Sequence, residues 1–182
     1  MPARSAKSNT ALDLDDLTTA QTYFDESHAL RQSIGDDGRY LQRSMANLAL
    51  RTGDYAAAIQ HFQHSLRTSW QAQELSNVLD CVKGIAIAAS FAQLGSAAAQ
   101  LLGAADALSA QFNITPNATQ TQQRAEAWLR LHDGLSATEF ASAYAEGQTQ
   151  SLAQTVAQAL ARTLTKDGQI RAQAHGADFI RP

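Results

Sequence analysis

Apolar residues along the chain recur at three- and four-residue intervals, the spacing that gathers them on one face of a helix. Leu17, Ala20 and Phe24 follow it, and so do Tyr55, Ala58 and Phe62. The two sets lie in segments that align without a gap at an offset of 38 residues, DDLTTAQTYFDES at 15–27 and GDYAAAIQHFQHS at 53–65. Each copy has a turn, then a small residue, then an aromatic four positions later. The small residue (Ala20, Ala58) lets a neighbouring helix approach, and the aromatic (Phe24, Phe62) fills the space between hairpins. A third copy begins near Gly95, with Leu101, Leu102 and Ala105 as its apolar face and a turn about two residues shorter. Units of this length cannot bury their apolar faces alone and must stack on neighbours.

The pattern predicts helices near 16–34, 39–52, 55–68, 73–94, 96–112, 119–134, 137–147 and 151–164. The break at FNITPNAT, 112–119, holds the interior proline among turn-forming residues. Gly147 suits a helix C-terminus, and Ser151 suits an N-cap. No alternating β-branched run bounded by turns is present, so the fold class is all-α: antiparallel helical hairpins, about eight helices in all. Residues 15–164 read as one domain, 1–14 as a disordered N-terminal segment and 165–182 as a loose C-terminal tail. The first copy lacks the helix that should precede it. The expectation is therefore a piece of a longer protein, with self-association through that end as the alternative.

Composition agrees with helix, since Ala, Leu and Gln abound and proline occurs three times in 182 residues. A net charge of −3 without a dense Lys/Arg cluster argues against nucleic-acid binding by this segment. Cys81 stands alone in an apolar setting, where a thiol acts as a small hydrophobe. The charge-free stretch from Gly84 to Ala105 is rich in Ala and interrupted by Gln93, Gly95, Ser96 and Gln100. Two buried helices explain it better than a membrane span, and the expected location is cytoplasmic.

Candidate chemistry begins with His61 and His64, three apart on one helix face. A metal needs three or four ligands, and this pair supplies two; His28, Asp25 or Glu26 would have to complete the set. In the repeat alignment His61 matches Tyr23 and His64 matches Glu26, which marks both as variable positions. Asp15/Asp16 and Asp36/Asp37 sit in turns at helix ends, where Asp caps helices. No catalytic, metal or cofactor site is expected. Trp70, Trp128, Phe140 and Tyr144 fall on apolar faces and belong to the core by default. Trp70, with His61 and His64, is the candidate for an interaction surface.

RTGDYAAAIQHFQHSL, residues 51–66, resembles a tetratricopeptide repeat through its Gly-Asp-Tyr turn, following Ala and later Phe. Met45 and Ala46 stand where that pattern has Leu and Gly, and Ser65 where it has Ala. In the second half, AAAQLLGAADAL (97–108), QRAEAWLRL (123–131) and LSATEFASAYAEGQTQSLAQTVAQAL (135–160) are similar to the C-terminal tetratricopeptide-like region of bacterial signalling ATPases and LuxR-type transcriptional regulators. Phe140, Tyr144, Glu146, Gly147, Ser151, Leu152, Val156, Ala159 and Leu160 carry that likeness, and Thr155 replaces the usual Ala. The resemblance implies a right-handed α-solenoid that binds a protein, a peptide or a regulatory ligand and is not an enzyme. A stand-alone scaffold or homodimerisation module is the alternative. A small helical metal enzyme built on His28, His61 and His64 is a further one.

Overall fold

The computed structural model describes residues 38–164 and 170–172, together with the helical residues Thr19, Thr22, Tyr23 and Glu26. Ala20, Phe24 and His28 lie outside the described residues, as do the rest of the first repeat copy and the N-terminal segment to which the sequence assigns disorder. Seven helices follow among the described residues: α1 Arg39–Arg51, α2 Tyr55–Gln71, α3 Leu75–Phe91, α4 Gly95–Gln111, α5 Ala118–Gly134, α6 Ala137–Gln148 and α7 Leu152–Leu160. A short antiparallel ribbon pairs β1, Arg162–Leu164, with β2, Ile170–Ala172. The predicted last helix therefore stops four residues early, and part of the tail that reads as loose is strand-paired. Two three-residue strands leave the fold class all-α.

The first four helices end in one way. A three-residue turn follows each of the first three and a six-residue connection, 112–117, the fourth, and the second residue after each helix has positive φ: Gly53 at 81°, Gln73 at 57°, Gln93 at 60° and Asn113 at 55°. The amide one residue later donates back to a carbonyl of the last turn: Asp54 to Ala49 at 2.9 Å, Glu74 to Ser69 at 3.0 Å, Leu94 to Ala89 at 3.0 Å and Ile114 to Ser109 at 2.9 Å. This left-handed closure satisfies carbonyls that a helix end would otherwise orphan. It recurs every 20 residues, so α2, α3 and α4 all have 17 residues. The turn at 92–94 is as long as the one at 52–54, which corrects the shorter turn expected for the third copy. The same turn splits the charge-free stretch into α3 and α4, and no described helix is long and apolar enough to cross a membrane.

Successive helices α1 to α4 pack side by side as antiparallel neighbours. Between α1, α2 and α3 the core holds Leu41, Ala46, Ala58, Ile59, Phe62, Leu66, Val78, Val82 and Ile85, all buried. Phe62 lies flat against Gly84, where a methyl group would meet the ring. The stacking of Tyr55 on Phe91, 5.2 Å between centroids, ties the start of α2 to the end of α3. A buried polar seam accompanies them. Ser65 Oγ accepts from Asn77 Nδ2 at 3.2 Å and from the Cys81 thiol at 3.3 Å. The serine in the place of the usual alanine thus has a partner on the next helix.

Beyond α4 the order changes. α6 runs antiparallel against α4 instead of closing mainly on its sequence neighbour α5. Gly103 sits on the Tyr144 carbonyl and Gly147 on the Gln100 carbonyl, so neither position has room for a Cβ. Gly147 lies in the last turn of α6, one residue before its end, as expected of a helix C-terminus, and its smallness also serves packing. α7 then lies across α2, α3 and α4. Gln63 Nε2 reaches the Ala159 carbonyl at 2.8 Å, and the buried Thr155 hydroxyl donates to its own helix at Ser151 O, 3.0 Å.

Candidate functional site

Helices α1, α3 and α5 meet around a cleft of about 240 Å³. Their sequences bring polar groups to it at helical spacing. α1 offers Arg43, Asn47 and Arg51, one turn apart on one face; α3 offers Asp80 and Lys83; the start of α5 offers Gln120. Phe62, Gly84 and Ile87 form its apolar wall.

Asp80 is the cleft's hub. It accepts from Arg43 Nη1 at 2.5 Å and from Gln120 Nε2 at 2.8 Å. Gln120 in turn closes the capping box of α5, its Oε1 accepting from the Asn117 amide at 3.0 Å. One carboxylate therefore links α1, α3 and α5. Lys83, three residues further on, is 8% exposed, and its Nζ is buried without a hydrogen-bond partner. A buried ammonium that pairs with nothing is costly, because charge taken from water needs a counter-charge or hydrogen bonds in return.

A second polar node sits between α4, α5 and α6. Asp106 accepts from Arg124 Nε at 3.0 Å and from the Tyr144 hydroxyl at 2.8 Å. Burial, then the bond to Asp106, pushes the Tyr144 phenol above its ordinary range. Trp128 packs edge-on to Phe140 and Tyr144, with centroids at 4.7 and 5.3 Å, and Arg124 lies over its ring. Every polar member of this node is paired, so its work is to join three helices.

Of the residues singled out from sequence, Phe62 lines the cleft and Trp128, Phe140 and Tyr144 belong to the second node; the other described ones fall outside both. Ala58 and Phe62 are buried and Tyr55 is half-buried. His61 is half-buried, with Nδ1 2.8 Å from Gln42 Oε1, which links α2 to α1. His64 is exposed. Trp70 lies in the last turn of α2 and is half-buried against the core. Among the described residues no group of three or more His, Cys, Asp and Glu could hold a metal ion. Burial pushes the Cys81 thiol up to about 12, despite the Ser65 hydroxyl beside it, so it stays protonated and unreactive at neutral pH.

Sequence reasoning missed the cleft because its groups come from three helices. One signal was available: Lys83 is the single charge in the run CVKGIAIAASFA.

The family model described as tetratricopeptide repeat matches residues 3–69, which includes α1 and nearly all of α2. No curated protein and no solved structure matches the chain. The match and the packing agree: the described helices form a tetratricopeptide-like array of antiparallel helical hairpins.

Proposed function

We propose that the chain is a non-catalytic module that holds a protein or peptide partner along the face shared by α1, α3 and α5. In this reading it is the sensory or interaction region of a bacterial transcriptional regulator or signalling ATPase, acting in the cytoplasm. One observation carries the binding part: α1, α3 and α5 turn adjacent polar faces onto one shared cleft. Stacked hairpins offer extended surfaces of this kind for docking. Engagement there would bias the state of an attached domain only by binding one of its states better than another.

A photo-crosslinking residue placed at Asn47, in the cleft, and at the exposed Gln60, on α2, tests this in the cell of origin. Discrete adducts from position 47 and none from position 60 are expected. Equal labelling from both positions, or none from either, overturns the reading. A nucleotide-binding loop or a helix-turn-helix in the same reading frame would support the regulatory part.

A further inference from the structure

We infer that Lys83 selects the partner held on this face, its ammonium pairing within the cleft with the side-chain carboxylate of a glutamate that the partner inserts. The inference rests on the partner reading and names the chemistry such a partner must carry. Lys83 is more than nine-tenths buried, lines the cleft and has no hydrogen-bond partner at Nζ. A lysine is almost never buried to that degree unless it is paired. Asp80, the one acidic residue among the described lining residues, is engaged at both oxygens: Oδ2 accepts from Arg43 and Oδ1 from Gln120. Arg51 is exposed and has an interaction of its own, so it adds nothing to the balance. One buried positive charge is left over, and one carboxylate matches it.

The size of the cleft decides how that carboxylate arrives. About 240 Å³ admits one side chain of glutamate's size, but not a peptide's main chain with its flanking residues. A terminal carboxylate sits on the main chain and would have to bring it inside. A glutamate carboxylate reaches in on its methylenes while the main chain stays outside. Phe62, Gly84 and Ile87 give those methylenes an apolar wall. Asn47 on α1 and Gln123 on α5 also line the cleft, with amide groups of the kind that pair with main chain. A glutamine of the same shape offers Lys83 an acceptor but no counter-charge, so the site prefers glutamate to its amide.

NMR titration of the purified chain follows the Gly84 amide, next to Lys83, with the blocked peptide acetyl-Ala-Ala-Glu-Ala-Ala-amide as probe. Saturable binding is expected, weaker by about tenfold or more for the Gln analogue and for acetyl-pentaalanine with a free C-terminus. Lys83→Met should abolish the preference for glutamate and raise the thermal midpoint of the free chain, by relieving the buried charge. Arg130→Gln, on the Phe91 side of α5, should leave binding unchanged. In the cell of origin, Lys83→Met should cut the adducts formed from position 47 by about tenfold. Undiminished adducts in Lys83→Met leave the partner reading standing and overturn this inference. No adducts in the parent chain overturn the partner reading, and the peptide titration still decides the carboxylate. The comparison of Glu and Gln peptides is made on the parent chain, so it holds even if Lys83→Met fails to fold. Equal binding of the two, binding of neither, or tighter binding of the free C-terminus overturns the inference.

Discussion

The helices before residue 114 and those after residue 117 mark their boundaries by opposite means. In the first part a left-handed turn stops each helix, at Gly53, Gln73, Gln93 and Asn113. The starts there are weakly marked: Asp54 caps α2, but Glu74 and Leu94 make no side-chain cap bond. In the second part every start carries a capping box, at Asn117/Gln120, Ser136/Glu139 and Ser151/Gln154. Identical stops give helices of equal length that re-enter at equal intervals, which is what stacking requires. Strong starts instead let α5, α6 and α7 take lengths of 17, 12 and 9 residues and pack out of sequence order. Regularity belongs to the stacked part and irregular closure to the end of the array.

The closure depends most on the backbone contact between α4 and α6, so the largest effect is expected there. Gly147→Val drives a side chain into the Gln100 carbonyl and should cost about 3 kcal/mol or more, since backbone cannot move aside as a flexible side chain can. Gly134→Ala, at a helical glycine with nothing within 4 Å, should gain roughly 0.5 kcal/mol or more. Urea unfolding followed by circular dichroism reads both. Equal, small effects would mean that α6 is not held against α4.

Alkaline unfolding separates the two parts through a group in each. The Cys81 thiol titrates near 9.0 in the unfolded chain and at about 12 in the fold, so the native state keeps a proton that the unfolded state has lost. Its contribution is fully present below pH 9 and fades as the pH rises from 9 toward 12. That loss amounts to about 1.4 kcal/mol at pH 10, by the free energy of one pH unit. Tyr144, also raised, adds a fall of the same sign starting about one unit higher. Stability measured at pH 8 and pH 10 should drop less in Cys81→Ala than in the parent. Tyr144→Phe should keep the early part of the drop, and a parent profile flat to pH 11 would contradict both burials.

Much of the array was legible because apolar spacing and turn residues agreed. TGD and the proline-bearing break predict the ends of α1 and α4 to within a residue, and the α5 and α6 boundaries are equally close. The 20-residue period was not legible, because glycine marks its left-handed position only at Gly53 and glutamine stands at the next two. The α3 start expected at 73 consequently falls two residues early, within the turn. Two capping boxes, NATQ at 117–120 and SATE at 136–139, are as explicit in the sequence as the Ser151 N-cap. The cleft depended on tertiary neighbours: nothing in the order of Arg43, Asp80 and Gln120 foretells that one carboxylate joins them. The histidines drew notice by spacing alone, and spacing within one helix cannot supply the missing ligands.

Capping supplies the next smaller effect. Ser136→Ala removes the acceptor of the Glu139 amide and the anchor of the Glu139 carboxylate, whose pKa the Ser136 hydroxyl and amide lower. A loss of about 1 kcal/mol in thermal or urea unfolding is expected. Ser76→Ala, at an exposed site in the first turn of α3 that caps nothing, should lie near zero. Matching losses at the two sites would erase the contrast in starts.

The smallest effect has the opposite sign and tests the stops. Gln73 and Gln93 are exposed, so their side chains contribute little packing, yet each holds a conformation that costs a non-glycine residue roughly 1 kcal/mol or more. Glycine removes that strain and returns part of the gain as extra freedom in the unfolded chain, leaving a net stabilisation of about 0.5 kcal/mol per site. Gln73→Gly and Gln93→Gly should therefore each raise the unfolding midpoint, and the double variant should show close to the sum, because the turns share no partners. Asn113→Gly should change less, since asparagine tolerates the left-handed region. Gly53→Gln should lose about what the others gain or more. The four substitutions rank the turns by strain, and only a shared left-handed geometry produces gains at 73 and 93, a near-zero value at 113 and a loss at 53.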